Sequence, residues 1–274
     1  FFTTHNSNLA KEIPKASLRY VYSDNGKISV ESGIKADGSD NEEIIDKIIK
    51  TLGALPDPKN KVKVLIFVEG ENDINALKGL SKLLNASDNR IINLDNNEAV
   101  AFIPTGGSQL KFYIEKKYLD GLLQSQVHIY DSDKLDYVQS VTNLNAEGVD
   151  TKIGFNTSKN ELENYLHHEA IIECYQDLNI NITLTPINDD EDVPAKVAMA
   201  VHQVTSDKDW DTINPDPLKT QEKQKKKISY AKRQLNSLAI EKMTVERLTE
   251  RGGINEMKDW LNTIKLYIEW IKAS

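Results

Sequence analysis

The pattern of this chain predicts an α/β fold: a parallel, Rossmann-like sheet flanked by helices, followed by a helical carboxyl-terminal region. Three observations carry that expectation. From residue 61 to about residue 166, short β-branched runs alternate with segments of helical periodicity, as βα units of a parallel sheet do. Two of those runs, 64–68 and 127–130, end abruptly in carboxylates: Glu69 with Asp73, and Asp131 with Asp133. Beyond residue 166 the apolar residues recur at helical spacing.

Taken in order, residues 18–22 and 28–31 flank Ser23-Asp24-Asn25-Gly26 and read as a hairpin with Asn-Gly turn chemistry. Residues 41–50 have helical apolar spacing, and Leu55-Pro56-Asp57-Pro58 then breaks the chain at the best candidate boundary. The first strand, 64–68, leads into a helix over 73–84 with Ile74, Leu77, Leu80, Leu83 and Leu84 on one face. The second strand, 99–103, closes in Pro104-Thr105-Gly106-Gly107, and Ser108 can cap a helix carrying Leu110, Phe112, Tyr113, Ile114 and Tyr118. A third strand at 127–130, a helix over 134–146 and a fourth strand at 151–155 complete the alternation. Helices are then expected at 168–179, at 193–204, over a basic stretch at 218–240, and after Gly252-Gly253. The last carries Met257, Trp260, Leu261, Ile264, Tyr267, Ile268 and Ile271, a stripe that reads as a core face, with a partner groove as the alternative.

The 274 residues carry 34 Lys+Arg and 42 Asp+Glu, and 34 − 42 gives the net charge of −8. A hydrophobic share of 39% and a charged share of 28% describe a globular protein. No stretch approaches the roughly 18 consecutive apolar residues of a membrane span, and no secretory leader is visible, so the cytoplasm is the expected compartment. Cys174 is the single cysteine, which excludes an internal disulfide and a cysteine-based zinc site. A net acidic chain is not an obvious nucleic-acid binder, because counterion release from phosphates needs clustered Lys and Arg. Yet Lys219, Lys223, Lys225, Lys226, Lys227, Lys232 and Arg233 crowd one segment, a pattern that usually marks a solvated helix face.

In an open parallel sheet, functional groups gather at the carboxyl ends of the strands. Side by side, the two acidic strand ends bring Glu69, Asp73, Asp131 and Asp133 together. Two like charges about 4 Å apart repel by roughly 1 kcal/mol in water and about 4 kcal/mol at an effective dielectric of 20. Such a cluster calls for a cation, and hard carboxylate oxygens suit Mg²⁺ or Mn²⁺ rather than zinc.

The E-G-x-x-D of Glu69, Gly70 and Asp73, followed about sixty residues on by the Asp-x-Asp of Asp131 and Asp133, resembles the TOPRIM domain. That metal-dependent module is shared by topoisomerases, primases and nucleases of the OLD (overcoming lysogenization defect) family. Lys159-Asn160-Glu161-Leu162-Glu163-Asn164-Tyr165-Leu166 is similar to the segment that follows the last TOPRIM strand in OLD nucleases. The resemblance implies Glu69 as a general acid or base and metal ligand, Asp131 and Asp133 as Mg²⁺ ligands, and Asp73 as a ligand of a second metal. It also implies that Lys159 neutralises charge at the scissile phosphate and that Glu161 or Glu163 completes a metal shell. Phe1-Phe2-Thr3-Thr4-His5-Asn6-Ser7 resembles the switch-histidine strand that ends an ABC-type ATPase domain, with His5 the nucleotide-contacting residue. No G-x-x-x-x-G-K-[ST] loop occurs, so ATP enters only through an ATPase portion outside this chain.

Residues 1–56 are therefore expected to be the end of an ABC-type ATPase domain with its connector, 57–170 a TOPRIM catalytic domain, and 171–274 a helical region. The activity implied is a Mg²⁺- or Mn²⁺-dependent, two-metal endonuclease acting as the effector of an ATPase-coupled anti-phage system. DNA is the expected substrate, with tRNA or other structured RNA as the alternative substrate. A non-catalytic assembly module is the remaining reading. An ABC-type ATPase portion or subunit and a further copy of the chain are the expected partners, and no membrane is.

Overall fold

The computed structural model describes residues 14–24, 27–41, 44, 62–106 and 124–270. The chain divides into two compact units, Phe1–Lys61 and Val62–Ser274. In the first, β1 (Arg19–Asp24) and β2 (Lys27–Ser32) pair antiparallel with Val21 opposite Val30, the hairpin expected from the Asn-Gly turn. His5, the helix expected at 41–50 apart from Asn41 and Ile44, the break at 55–60 and the helix expected from Ser108 lie outside the described residues.

The second unit is built on a four-stranded sheet of β3 (Val64–Val68), β4 (Val100–Pro104), β5 (Ser125–Tyr130) and β6 (Lys152–Asn156). Its order is β4-β3-β5-β6, and every neighbouring pair is parallel. Because β4 lies on one side of β3 and β5 on the other, the chain reverses its direction of travel between β3 and β5. This is the switch point at which the loops leaving two adjacent strands diverge and open a crevice. Glu69 and Asp131 are the first residues past those two strands.

Side chains of β3 alternate between two cores, as the pleat requires. Val64, Ile66 and Val68, with Val127 and Ile129, join the larger one, while Leu65, Phe67 and Tyr130 pack with Tyr137 and Val141 in the smaller. Helix α1 (Glu71–Ser87) supplies Ala76, Leu77, Leu80 and Leu84 to the larger core, and α2 (Leu135–Ala146) covers the other face.

The carboxyl-terminal region holds α3 (His168–Asp177), α4 (Val193–Thr205), α5 (Pro217–Gln234), α6 (Val245–Glu250) and α7 (Ile254–Trp270). Met257, Trp260, Leu261, Ile264 and Ile268 of α7 are buried in the same core as the sheet, which runs unbroken from Val64 to Ile268. The apolar stripe of the last helix is therefore a core face. The long basic helix is not uniform: Asp216 caps α5 by accepting from the Leu218 amide at 3.0 Å, and at Leu235–Ala239 it passes into a π-type turn. That turn lies against α1 at Gly79, where a Cβ would run into the Ile240 side chain. Helix α6 has no expectation in the sequence pattern, because one buried apolar residue, Leu248, sets no period. Thr244 caps it, accepting from the Arg247 amide at 3.2 Å.

Candidate metal centre

The loop after β3 turns sharply into α1. Gly70 takes the N-cap position, and Asp73 Oδ2 accepts the Gly70 amide at 2.8 Å, so Asp73 reaches back to secure the turn that presents Glu69. After β5, Asp131 is buried, 4% exposed, and its Oδ1 accepts the Leu162 amide at 2.9 Å. The segment after β6 thus folds back onto Asp131 and brings a 3₁₀ turn, Leu162–Tyr165, against the strand ends. Asn164 fixes this turn: its Oδ1 accepts the Glu161 amide at 2.9 Å, and its Nδ2 donates to the Asn188 and Glu191 carbonyls, each at 2.9 Å.

Two groups of carboxylates result, each with one oxygen per residue lying within 4.8 Å of the others. The first is Glu69, Asp131 and Asp133; the second is Asp131, Glu161 and Glu163. Asp131 belongs to both. Burial, then Glu163 and Asp73, raises its carboxyl well above the carboxylate range. Burial likewise pushes Asp73 up to about 6 and Glu161 up to about 7, and raises Asp133. These shifts come first from withdrawing the carboxyl groups from water, with repulsion among the neighbouring acids adding to it. Glu163 is fully buried; its Oε1 accepts from Asn236 Nδ2 at 2.5 Å, and its Oε2 has no partner among the described residues. With an unpartnered buried carboxylate oxygen among them, these oxygen donors could hold a metal ion.

Two lysines enter the cluster. Lys134, next to Asp133 in the chain, places Nζ 2.8 Å from Glu69 Oε1 and 3.8 Å from Asp133 Oδ2. Lys232 of α5 places Nζ 3.3 Å from both Glu161 Oε2 and Glu163 Oε1. Burial opposes the charge of each, and the carboxylates more than offset it, so both ammonium groups are held above their ordinary range. Lys134 carries a visible signal in its adjacency to Asp133. Lys232 and Asn236 lie about seventy residues beyond Glu163 on a helix whose charges look solvated, and only tertiary packing brings them in.

Asp73 adjoins the cluster but stands outside both three-carboxylate groups. Lys159 is buried, forms an ion pair with Asp189 and lies over the Tyr165 ring at 5.5 Å, so its ammonium is engaged away from the carboxylates. Arg251 Nη2 reaches the same Asp189 oxygen at 3.0 Å. The acidic run beginning at Asp189 is likewise committed locally: Glu191 holds Lys196 at 2.8 Å, and Asp192 caps α4 at the Ala195 amide at 2.9 Å. His167 and Cys174 belong to no group of metal-ligating residues among those described. No helix among the described residues is long and apolar enough to cross a membrane. Comparison of the chain with protein-family models, with curated proteins and with solved structures gave no match.

Proposed function

We propose that this chain is a divalent-metal-dependent nuclease of OLD-like TOPRIM type, hydrolysing phosphodiester bonds of DNA as the effector of an ATPase-coupled anti-phage system. One observation carries the reading: at the switch point of a parallel sheet, two carboxylate groups share Asp131. Carboxylates shared between adjacent cations are the layout used for in-line displacement at phosphorus. The ATPase coupling rests on the sequence resemblance alone.

Glu69, Asp131 and Asp133 would hold one ion, and Asp131, Glu161 and Glu163 a second. Bound there, such ions supply Lewis-acid stabilisation of the charge that develops on phosphate oxygens. The remaining work falls to the chain's own groups. Glu69 stands at the half-buried rim, where its carboxylate can accept a proton from an attacking water. Lys134, half exposed beside it, can donate to a phosphate oxygen. The exposed lysines of α5 give the substrate backbone a cationic track.

The test is incubation of the protein with supercoiled plasmid DNA and, separately, with total tRNA, in Mg²⁺, Mn²⁺ or chelator. Cleavage of DNA in Mn²⁺ or Mg²⁺ and none in chelator is expected. Asp131→Asn and Glu69→Ala should each lower the rate by roughly 100-fold or more, the scale on which single catalytic groups act. Undiminished cleavage by Asp131→Asn would overturn the assignment. Metal binding without cleavage of either nucleic acid would leave a structural cation site instead.

A further inference from the structure

We propose that Lys232 is the resident cation of the Asp131–Glu161–Glu163 group, so that the protein without nucleic acid binds a divalent ion only at Glu69–Asp131–Asp133. The two carboxylate groups look alike in composition but differ in what holds their lysines. Lys134 is 47% exposed, and its principal partner, Glu69, lies at the rim. Exposed pairs of this kind are weak, and an incoming divalent ion displaces the ammonium into water at little cost. Lys232 is 28% exposed and touches Glu163, which is fully buried. Until another cation took its place, its departure would leave that buried carboxylate with only the neutral Asn236 amide and the neighbouring carboxyl groups of Glu161 and Asp131.

A second ion brought to that group must also approach an ammonium already 3.3 Å from two of its carboxylates. The like charges oppose each other, so the ion and Lys232 exclude one another. Nucleic acid changes the balance, because a phosphate entering the crevice offers Lys232 another anion and frees Glu161 and Glu163 for the second ion. This inference rests on the metal centre of the proposed function and not on turnover, so the two can fail separately.

Free Mn²⁺ counted by its paramagnetic resonance signal, with purified protein and no nucleic acid, supplies the test. The wild type should take up about one tight equivalent, and Lys232→Gln about two, the second bound roughly tenfold or more tighter than in the wild type. Lys134→Gln should keep the count at about one and bind that ion more tightly. Amine acylation read by mass spectrometry makes the same distinction on the unaltered protein: Mn²⁺ alone should expose Lys134 to labelling and leave Lys232 protected. That readout decides the matter if Lys232→Gln fails to fold. Adding a single-stranded oligonucleotide should raise the wild-type count to about two. Two equally tight ions in the wild type without nucleic acid, or Lys232 labelling that rises with Mn²⁺ alone, would overturn the proposal. A count that stays at one with oligonucleotide bound would overturn the displacement step. Protein that cleaves nothing yet keeps these counts refutes the nuclease reading and leaves this one standing.

Discussion

His128 of β5 stacks on Phe67 of β3, with ring centroids 4.2 Å apart and planes 4° from parallel, and its Nδ1 lies 3.0 Å from the Tyr130 hydroxyl oxygen. Burial, with a smaller contribution from Lys152, pushes the imidazole down to about 3. In the unfolded chain the same ring titrates near 6.5, so below that pH the unfolded state takes up a proton that the folded state refuses. The stability is present above about 6.5 and is lost as pH falls, by roughly 2–3 kcal/mol at pH 4.5. His128→Phe keeps the stack and removes the titration. Urea midpoints measured between pH 7 and 4.5 should therefore fall less steeply for the variant, and an unchanged acid limb would count against this origin. At this scale Glu69 and Asp131 are legible in the sequence, because each follows an apolar run that stops at it, and Asp133 is legible through its Asp-x-Asp spacing to Asp131. Asp73 is legible as an acid but not as a helix-capping one, since both uses of a carboxylate place it one turn into a helix.

Helix α5 shows what a charge pattern conceals. Lys219, Lys223, Lys226, Tyr230 and Arg233 recur every three or four residues and form one exposed row, whereas Lys232 lies on roughly the opposite side of the helix, at about 100° per residue. The sequence groups all seven basic residues as one segment; packing of Thr220, Ala231 and Leu235 against the core sets that outer row apart from the inner cation Lys232. If the outer row follows a phosphate backbone, replacing Lys219, Lys223 and Lys226 together by Gln should weaken DNA binding similarly across sequences. It should also reduce the salt dependence by about 3 in log–log slope, near 0.9 for each phosphate that is no longer neutralised. Mn²⁺ uptake should not change, because none of the three touches a carboxylate of the centre. A salt slope identical to that of the unaltered protein would exclude this row as the DNA-binding face. The strands were readable as short β-branched runs and the long helices from their period, whereas α6 and the π-type turn were not, since each is shorter than a period can reveal.

For the molecule as a whole, the gathered carboxylates work against the fold that gathers them. Asp73 near 6 and Glu161 near 7 keep protons in the folded state that the unfolded chain has already released. Their contribution is fully present below about pH 4 and is lost as pH rises through 6 and 7, opposite in sign to that of His128. In chelator, the melting temperature of the protein should gain nothing from these groups at pH 7.5. Mn²⁺ at about 100 times its dissociation constant should add about 2.7 kcal/mol, or roughly 5–10 °C. That gain should shrink at pH 5.5, where protons compete for the same oxygens; a gain independent of pH would mean that the ion binds elsewhere. How the sheet meets the carboxyl-terminal helices was least legible, because it depends on pairings such as Lys232 with Glu163 across long stretches of chain. The same pairing bears on inheritance. With one core from Val64 to Ile268, and with Lys232 and Asn236 clasping Glu163, the helices after residue 170 cannot be exchanged between relatives as a cassette. Recombination that kept the strand-end acids but imported a tail lacking Lys232 and Asn236 would leave Glu163 buried without its counter-charge, so the acids and these two residues have to change together.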